Sequence, residues 1–196
     1  MHEAPDPLRL ELAAVAARLI ADGGHDYAGA KKKAVRQVLG ERQAPKGSLP
    51  DNDEIDMALR EHLDLFDPDH ASRVARRRRT AAALMQRLQA FHPFLTGAVW
   101  KGIVAEHAPI HLQLFHDNPK DVEIQLLNDG VDFDVATVPH FRGGAEVEAI
   151  AFYLDDAPVL LSLYQHDDVR GALRRGAAGA ERGDRQALLE RLAEPA

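Results

Sequence analysis

The segment FLTGAVWKGIVAEHAPIHLQLF, residues 94–115, decides the fold that the sequence predicts. Residues 93–99 form a short apolar run, which indicates a buried strand. Residues 110–115 alternate and indicate a second strand. The stretch between the two, residues 102–107, is short and ambiguous. A glycine-containing strand followed closely by another strand places the beginning of a sheet near the middle of the chain.

Helical patterns fill the chain before this segment. An aspartate precedes each of three apolar repeats of helical spacing, so three helices are predicted within residues 1–66. The third is predicted to bury Ile55, Leu59, Leu63 and Phe66. Asp67-Pro68 then begins a long fourth helix that reaches about residue 91. Residues 73–79 on this helix contain five arginines, which predict either phosphate contacts or salt bridges to acidic residues.

The chain after residue 115 predicts one crossover unit and one hairpin. Asn118-Pro119 begins a helical pattern that stops near Gly130, and residues 131–138 form a strand pattern. Strand, helix and strand with short joints indicate a βαβ unit, so its two strands are expected to be parallel. Residues 147–154 and 159–164 predict a hairpin, and two short helices are expected near residues 167–175 and 184–192. Residues 176–183 are predicted to be a flexible joint.

The order of these elements resembles the core of the nucleotidyltransferase superfamily over about 70 residues. The fold expected on this basis is α+β. An N-terminal helical region, residues 1–66, precedes a nucleotidyltransferase-like domain, residues 67–176, and a C-terminal helix, residues 177–196, follows. The domain is expected to contain a mixed sheet with flanking helices, a C-terminal hairpin and short helices.

The resemblance implies where a nucleotide would bind. In that family a strand ends in a Gly-Ser or Gly-Gly pair on a turn that contacts the nucleotide phosphates. Gly97 matches the first glycine, and Ala98 stands in place of the serine. The implied cofactor-binding residues are Gly97, Ala98, Lys101 and Gly102. Trp100, inside the same turn, either stacks on a base or packs in the core.

The same resemblance is incomplete at the positions that hold metal ions. The family carries two acidic residues at alternate positions of the next strand, where they face the same side. Pro109 and His111 occupy these positions here. Proline offers no ligand, and magnesium prefers oxygen to imidazole nitrogen. The third acidic position matches Asp132 or Asp134.

These departures imply a degenerate, non-catalytic domain that binds a nucleotide, RNA or a protein partner. One alternative is an active nucleotidyltransferase with a rearranged magnesium site built from Glu106, Asp132 and Asp134. The other alternative is a structural module whose N-terminal helices dock a protein partner. The candidate catalytic residues are His111 as a general base, Asp134 and Asp132, and the candidate metal ligands are Glu106, His111 and Asp134. Magnesium is expected only if the active alternative holds.

Composition limits the remaining classes of protein. The chain has no cysteine, which excludes disulfides and thiol chemistry and fits a reducing compartment. No apolar run reaches the roughly 20 residues that span a bilayer, and the N-terminus lacks a signal-peptide pattern. We therefore expect a soluble, cytoplasmic protein. The net charge is −7, so generic nucleic-acid binding is disfavoured except through the N-terminal half, which is not acidic.

Overall fold

The computed structural model describes residues 6–172 and 180–193 of the chain. These residues form two compact units: residues 6–71 with 103–106, and residues 72–102 with 107–172 and 180–193. The fold is α+β, with an N-terminal helical region followed by a six-stranded mixed sheet, as the sequence predicts. The second unit includes the C-terminal helix, which was predicted to be a separate segment, residues 177–196.

Three helices form most of the N-terminal unit: α1, Pro7–Gly23; α2, Tyr27–Leu39; and α3, Asn52–Phe66. Each begins where an aspartate side chain accepts a hydrogen bond from a backbone N–H of the first turn. This contact satisfies a donor that has no partner within the helix. The three predicted helix starts are therefore confirmed, and each has the physical cause that the sequence suggested.

The core of this unit is built largely from small side chains. Ala16 of α1 packs with Ala30 and Ala34 of α2, and all three are fully buried together with Leu12 and Ile55. Alanine lets helix backbones approach closely while it loses no side-chain entropy on burial. A second buried cluster contains Ala17, Leu59, Leu63 and Ile103.

One predicted member of the α3 core is wrong. Phe66 was expected on the buried stripe, but its side chain is 72% exposed at the last position of the helix. Helical spacing alone puts it beside Leu63, which is buried. Phe66 is the last residue of α3 and the chain leaves the helix at Asp67, so the ring lies at the end of the apolar stripe.

The capping box at the start of α3 gives a testable prediction. The Asp51 side chain accepts from Glu54 N at 2.9 Å, and the Glu54 side chain accepts from Asp51 N at 2.7 Å. Replacing Asp51 with alanine removes this cap, and we expect a loss of about 1 kcal/mol in the free energy of unfolding by urea. Asp53→Ala is the matched control, because it removes an acidic residue from the same turn without removing the cap. Equal losses in both variants would assign the effect to charge instead.

The rest of the chain contains five helices and six strands within the described ranges. In chain order they are α4, His70–Arg87; β1, Phe94–Thr96; α5, Gly97–Lys101; β2, Ile110–Phe115; α6, Pro119–Asn128; β3, Asp134–Pro139; β4, Glu146–Leu154; β5, Ala157–Tyr164; α7, Val169–Ala172; β6, Arg182–Gly183; and α8, Arg185–Ala193. Across the described residues, no helix is both long enough and apolar enough to cross a membrane.

The sheet has the strand order β3-β4-β5-β2-β1-β6. Only β2 and β5 pair in parallel, and every other neighbouring pair is antiparallel. The predicted hairpin is confirmed as β4 and β5, joined at Asp155 and Asp156, which both have positive φ. β6 was not expected, because residues 176–183 were predicted to be a joint; part of that stretch, 176–179, lies outside the described residues.

The predicted βαβ unit is only partly correct. β2, α6 and β3 follow one another, and β3 runs in the same direction as β2, since it is antiparallel to β4, which is antiparallel to β5. The two strands are not neighbours, however, because β5 and β4 lie between them. Sequence patterns report the order of elements along the chain, whereas the insertion of a later hairpin between two strands leaves no local signal.

The predicted ends of two elements also differ from the structure, the first of them at the turn formed by residues 97–102, here called the glycine turn. The strand predicted over residues 93–99 ends at Thr96, because Gly97 has φ +69° and begins the short helix α5. A positive φ of this kind breaks an extended strand and is readily adopted only by glycine. The long helix predicted from Asp67-Pro68 starts at His70 and ends at Arg87, and a 3-10 turn, Gln89–Phe91, follows it.

The two faces of the sheet differ in polarity. One face carries the fully buried side chains of Leu95, Leu112, Leu114, Ile150 and Leu161. Residues that alternate with these point to the opposite side, and directly paired residues share a side. The opposite face therefore holds Thr96, His111, Gln113, Ser162 and Arg182, as their cross-strand pairing shows. The same face also carries Phe94, Phe115 and Leu160, so its polar side chains lie among apolar ones. This mixed face contains the candidate site.

Candidate functional site

The glycine turn begins beside His111. Thr96, the last residue of β1, pairs with His111 of β2. A Cβ atom added to Gly97 would lie 3.8 Å from the Cβ atom of His111, so the turn passes close to this side chain. The sequence-predicted residues Ala98 and Lys101 lie on α5 and are half-buried. The structure thus places the glycine turn beside His111.

The end of the turn is held by an arginine of α4. Gly102 has φ +74°, and a Cβ atom at this position would approach Arg78 Nη2 to 2.9 Å. The Arg78 guanidinium donates to the carbonyls of Val99 and Trp100, each at 3.1 Å. Arg78, one of the five clustered arginines, therefore binds the backbone of the turn. The sequence had predicted either phosphate contacts or salt bridges for these arginines, and this contact is neither. Gly102 leaves the space that this guanidinium occupies.

Trp100 packs in the core of the second unit. Its side chain is 3% exposed, and its Nε1 donates to the carbonyl of Ala180 at 2.7 Å. The Arg191 guanidinium lies 3.9 Å from the centre of the ring system. Gly183 approaches the ring so closely that an added Cβ atom would clash with it. Of the two alternatives for Trp100, core packing is the one that the structure supports.

His111 is neutral at ordinary pH. Burial, together with the positive charge of Arg182, lowers the pKa of His111 from 6.5 to about 4. Its Nε2 atom lies 2.8 Å from the hydroxyl oxygen of Ser162, which is fully buried. A neutral imidazole has one donor and one acceptor nitrogen, and a hydroxyl can complement either. Because Ser162 is inaccessible, the pair forms a buried hydrogen bond and not an exposed nucleophile with its base.

Arg182 is a buried cation near His111. Its side chain is only 8% exposed, and burial lowers its pKa. One terminal nitrogen donates to the carbonyl of Ala172 at 2.8 Å, and the guanidinium lies 4.9 Å from the centre of the Phe141 ring. The carboxylate of Glu181 lies 3.4 Å away but is 64% exposed to solvent. The Nε atom is buried and has no hydrogen-bond partner.

Two further side chains complete the group, which we call the polar cluster: His111, Gln113, Ser162, Tyr164 and Arg182. Gln113 is 3% exposed, and its Oε1 atom also has no hydrogen-bond partner. Burial raises the pKa of Tyr164, although hydrogen bonds with Ser162 and Gln113 act in the opposite direction. The sequences of β1, α5, β2 and β5 contain no aspartate or glutamate. The strands of the polar cluster therefore carry no carboxylate, although the negative charge of Asp168, in the segment after β5, acts on Tyr164.

Asp134 is remote from His111. It begins the edge strand β3 and lies on the same row of the sheet as His111, because Asp134 pairs with Ala151, Ala151 with Leu160, and Leu160 with His111. Three strand intervals separate the two residues, which corresponds to about 14 Å. Asp132 is exposed in the loop before the same edge strand. The structure therefore does not bring the candidate catalytic residues His111, Asp132 and Asp134 together.

The candidate metal ligands do not assemble either. Glu106 is exposed and belongs to the N-terminal unit, whereas His111 and Asp134 lie in the second unit on widely separated strands. Within the part of the chain that the structure describes, no group of three His, Asp or Glu side chains is placed to hold a metal ion. The assignment of Glu106, His111 and Asp134 as metal ligands therefore stays a prediction.

Known proteins give no further guidance. No protein-family model, no curated protein and no solved structure matches this chain. The function must therefore be argued from the side chains themselves.

Sequence reasoning missed four members of the polar cluster. A usable signal existed for Gln113 and Ser162, because β2 is apolar apart from His111 and Gln113, and β5 has one small polar residue, Ser162, in an apolar run. A polar side chain in such a strand must find a buried hydrogen-bond partner, so two of them on neighbouring strands indicate a contact. Tyr164 looked like the end of an apolar run. Arg182 lay in a glycine-rich stretch with no pattern at all.

Proposed function

We propose that the second unit is a non-catalytic, nucleotidyltransferase-like domain that binds the phosphates of a nucleotide at the glycine turn, Gly97–Gly102, beside the polar cluster, where the charge of Arg182 acts on them. The observation that carries this proposal is the buried Arg182, whose Nε atom has no partner, beside a neutral His111 on strands that contain no carboxylate. The glycine turn from Gly97 to Gly102 supplies backbone close to the same place.

The charge of Arg182 supports a negatively charged ligand. A guanidinium that is removed from water loses several kcal/mol of hydration energy unless an anion and hydrogen bonds replace the water. In this structure the nearest carboxylate, Glu181, is mostly solvated and offers weak compensation. A phosphate group can accept two parallel hydrogen bonds from a guanidinium, which makes arginine a frequent phosphate ligand.

The absence of carboxylates from these strands argues against transfer chemistry. Phosphoryl and nucleotidyl transfer rely on metal ions that neutralise the triphosphate, and such ions are held by oxygen ligands. A neutral imidazole is a poor substitute for those ligands. The alternative of an active nucleotidyltransferase with Glu106, Asp132 and Asp134 predicts incorporation of label from a nucleoside triphosphate, and loss of that label in Asp134→Ala.

Nucleotide binding can be tested by thermal unfolding. We expect ATP, GTP, CTP or UTP to raise the Tm, with or without magnesium, because Arg182 supplies the positive charge. A ligand at 100 times its Kd stabilises a protein by about 2.7 kcal/mol, which such a measurement detects. Arg182→Gln should weaken binding by roughly 10- to 100-fold, the loss of a charged hydrogen bond. Arg170→Gln, an exposed change on α7, should leave binding unchanged.

Three outcomes would contradict the proposal. One is a lack of response to all four nucleotides. Another is equal weakening by the Arg182 and Arg170 variants, which would indicate a nonspecific charge effect. The third is binding that requires magnesium and falls in Asp134→Ala, which would favour the active alternative. Because Arg182 is a buried cation without a close buried anion, its replacement by glutamine is expected to leave the variant folded.

A protein partner for the N-terminal helices is a second proposal with its own observation. The large apolar side chains of Met57, Leu65 and Phe66 on α3 are each more than 70% exposed. Leu65 and Phe66 are adjacent at the end of α3, and contiguous exposed apolar residues mark interaction surfaces more often than single ones do. Protection of α3 amides from hydrogen exchange on addition of a candidate partner would support it. The lack of cysteine is consistent with a cytoplasmic location for either role.

A further inference from the structure

The strand β3, Asp134–Pro139, lies at one edge of the sheet and its outer side is open. It pairs with β4 alone, and five of its six residues are exposed. Apart from this pairing, no backbone hydrogen bond to residues 134–139 occurs among the described residues. The strand at the opposite edge, β6, has only two residues. β3 is therefore the edge that is long enough for a further strand to pair with its free N–H and C=O groups.

The sequence of β3 lacks the features that usually protect an edge strand. Natural edges are blunted by a central charge, an internal proline or a bulge. Here the charge of Asp134 and the ring of Pro139 lie at the two ends, and the four residues between them are uncharged. The register with β4 is continuous, so no bulge interrupts the strand. Val135, inside this uncharged stretch, is 54% exposed, so the edge differs from an ordinary solvated one.

The exposed apolar side chains of the second unit lie on the elements at this edge. They are Ile124 and Leu127 on α6, Val135 on β3 and Tyr153 on β4, each more than half exposed. In the described part of this unit, no other element carries a large apolar side chain that is exposed to this degree. Such a concentration at one end of a unit is typical of an interaction surface.

A buried carboxylate oxygen beside β3 indicates the charge of the occupant. Glu148 of β4 pairs directly with Thr137 of β3, so the two side chains lie on the same side of the sheet. The Oε1 atom of Glu148 is buried and has no hydrogen-bond partner. The charge of Glu148 acts on Lys120 of α6, but Lys120 Nζ is bound by Glu123 at 2.5 Å. Because a buried acceptor without a donor is unfavourable, a cation that arrives with a partner would be stabilised here.

A lysine or arginine on an added strand can reach this oxygen. The added strand would lie about 4.8 Å beyond β3, and its side chains would alternate between the two faces as those of β3 do. Thr137 is small, so a long basic side chain in the same row can pass over it towards Glu148.

The surrounding charge also favours a basic occupant. From the start of α6 to the end of β4, residues 119–154 include seven acidic and two basic side chains. Asp132, Asp134 and Glu146 form no ion pair in the described part of the chain. A second copy of this chain would bring the same negative charge to the edge, whereas a basic segment is attracted to it.

We propose that β3 accepts an extended, lysine- or arginine-bearing segment of another protein as an additional strand, and that Glu148 binds a cationic side chain of that segment. Backbone hydrogen bonds along the edge supply affinity, and the contact with Glu148 supplies the preference for a basic sequence. The site uses neither the polar cluster nor α3. It is therefore independent of nucleotide binding and of a partner for the N-terminal helices.

Binding of a designed peptide tests the proposal. The probe is a fluorescein-labelled peptide of alternating lysine and valine, and its binding to the full chain is measured by fluorescence anisotropy. We expect it to bind at least about tenfold more tightly than the peptide of alternating glutamate and valine. A block peptide with all lysines before all valines has the same composition but cannot direct its ammonium groups to one side of a strand, so it should bind more weakly. Hydrogen exchange of alternate β3 amides should slow in the complex.

Two variants of the protein test the contact with Glu148. Glu148→Gln removes the charge and keeps the shape of the side chain, so it should weaken binding of the lysine peptide about tenfold. Glu190→Gln changes an exposed carboxylate on α8 in the same way and should bind as the unaltered protein does. Thr137→Lys places an ammonium on the exposed edge directly opposite Glu148, so it should abolish binding and leave the fold intact.

Four results would overturn the proposal. They are equal affinities for the lysine and glutamate peptides, equal losses in Glu148→Gln and Glu190→Gln, and unchanged exchange of the β3 amides in the saturated complex. The fourth is a dimer of the protein alone in sedimentation that Thr137→Lys converts to a monomer, because the edge would then pair with a second copy. Arg182→Gln should leave peptide binding unchanged, which separates this result from that of nucleotide binding.

Discussion

Replacing Trp100 with alanine should lower the free energy of unfolding by about 3–5 kcal/mol. Trp100 is 3% exposed and contacts three separate parts of the second unit: the carbonyl of Ala180, the guanidinium of Arg191 and the backbone of Gly183. The substitution removes the largest side chain in the turn, leaves a cavity and leaves the Ala180 carbonyl without this donor. Urea unfolding followed by circular dichroism measures the loss directly.

Two variants separate the causes of this effect. Trp100→Phe keeps a ring against Arg191 but removes the N–H donor, so it should cost about 1–2 kcal/mol. Tyr153→Ala removes another large aromatic side chain that is 77% exposed, and it should change stability by less than about 0.5 kcal/mol. If Trp100→Ala unfolds at the same urea concentration as Tyr153→Ala, the packing of the C-terminal segment against the turn is not as described.

The sequence predicted the elements that depend on local chemistry. The starts of α1, α2 and α3 were found because an aspartate side chain accepts from the first turn within three residues, a contact visible in sequence. The hairpin of β4 and β5 was found because two apolar runs flank a short polar turn. Such interactions join residues that are close in the chain.

The same reasoning failed where partners are distant in the chain. β6 pairs with β1 across more than 80 residues, and two residues are too few to show a strand pattern. Phe66 has the spacing of a buried residue, but burial depends on what covers the end of α3. The insertion of β4 and β5 between β3 and β2 likewise depends on long-range pairing that no local pattern reports.

The candidate site was predicted in part for the same reason. Gly97 and His111 are brought together by pairing between consecutive strands, which the order of the elements implied. The link from His111 to Asp134 required knowledge of how many strands lie between them. Arg182 arrives from a different part of the chain, so the only cation beside His111 in the polar cluster could not be inferred. The order of the elements along the chain placed Gly97 near His111, whereas the pairing of β1 with β6 brings Arg182 to the same face of the sheet.

The stability of the protein should fall in mild acid because of His111. Its pKa is about 4 in the folded protein and is expected near 6.5 in the unfolded chain. Between these values the unfolded state binds more protons than the folded state, so stability decreases as the pH falls from 6.5 to 4. At pH above 6.5 this histidine contributes nothing to the pH dependence. A pKa shift of this size lowers the free energy of unfolding by at most about 3 kcal/mol at pH 4, relative to pH above 6.5.

The variant His111→Gln isolates this contribution. Glutamine does not titrate, and its side-chain amide can replace the hydrogen bond between Nε2 and Ser162. Unfolding free energies from urea at several pH values should therefore fall less steeply for His111→Gln than for the unaltered protein. Hydrogen bonds from Arg9 and Arg87 lower the pKa values of Glu54 and Asp129. Protonation of these carboxylates reduces the free energy of unfolding equally in both proteins, so their contribution cancels in the comparison. His107→Gln, at an exposed position, should follow the unaltered protein.

The same measurement connects the histidine to the proposed ligand. Arg182 lowers the pKa of His111 by repulsion, and a phosphate bound at Arg182 would oppose that repulsion. With a saturating nucleotide, the loss of stability between pH 6.5 and 4 should therefore be smaller in the unaltered protein and unchanged in Arg182→Gln. If the free energies of unfolding of the unaltered protein and His111→Gln change with pH in parallel, the pKa of His111 is not lowered in the folded protein. The description of His111 as buried beside Arg182 would then be wrong.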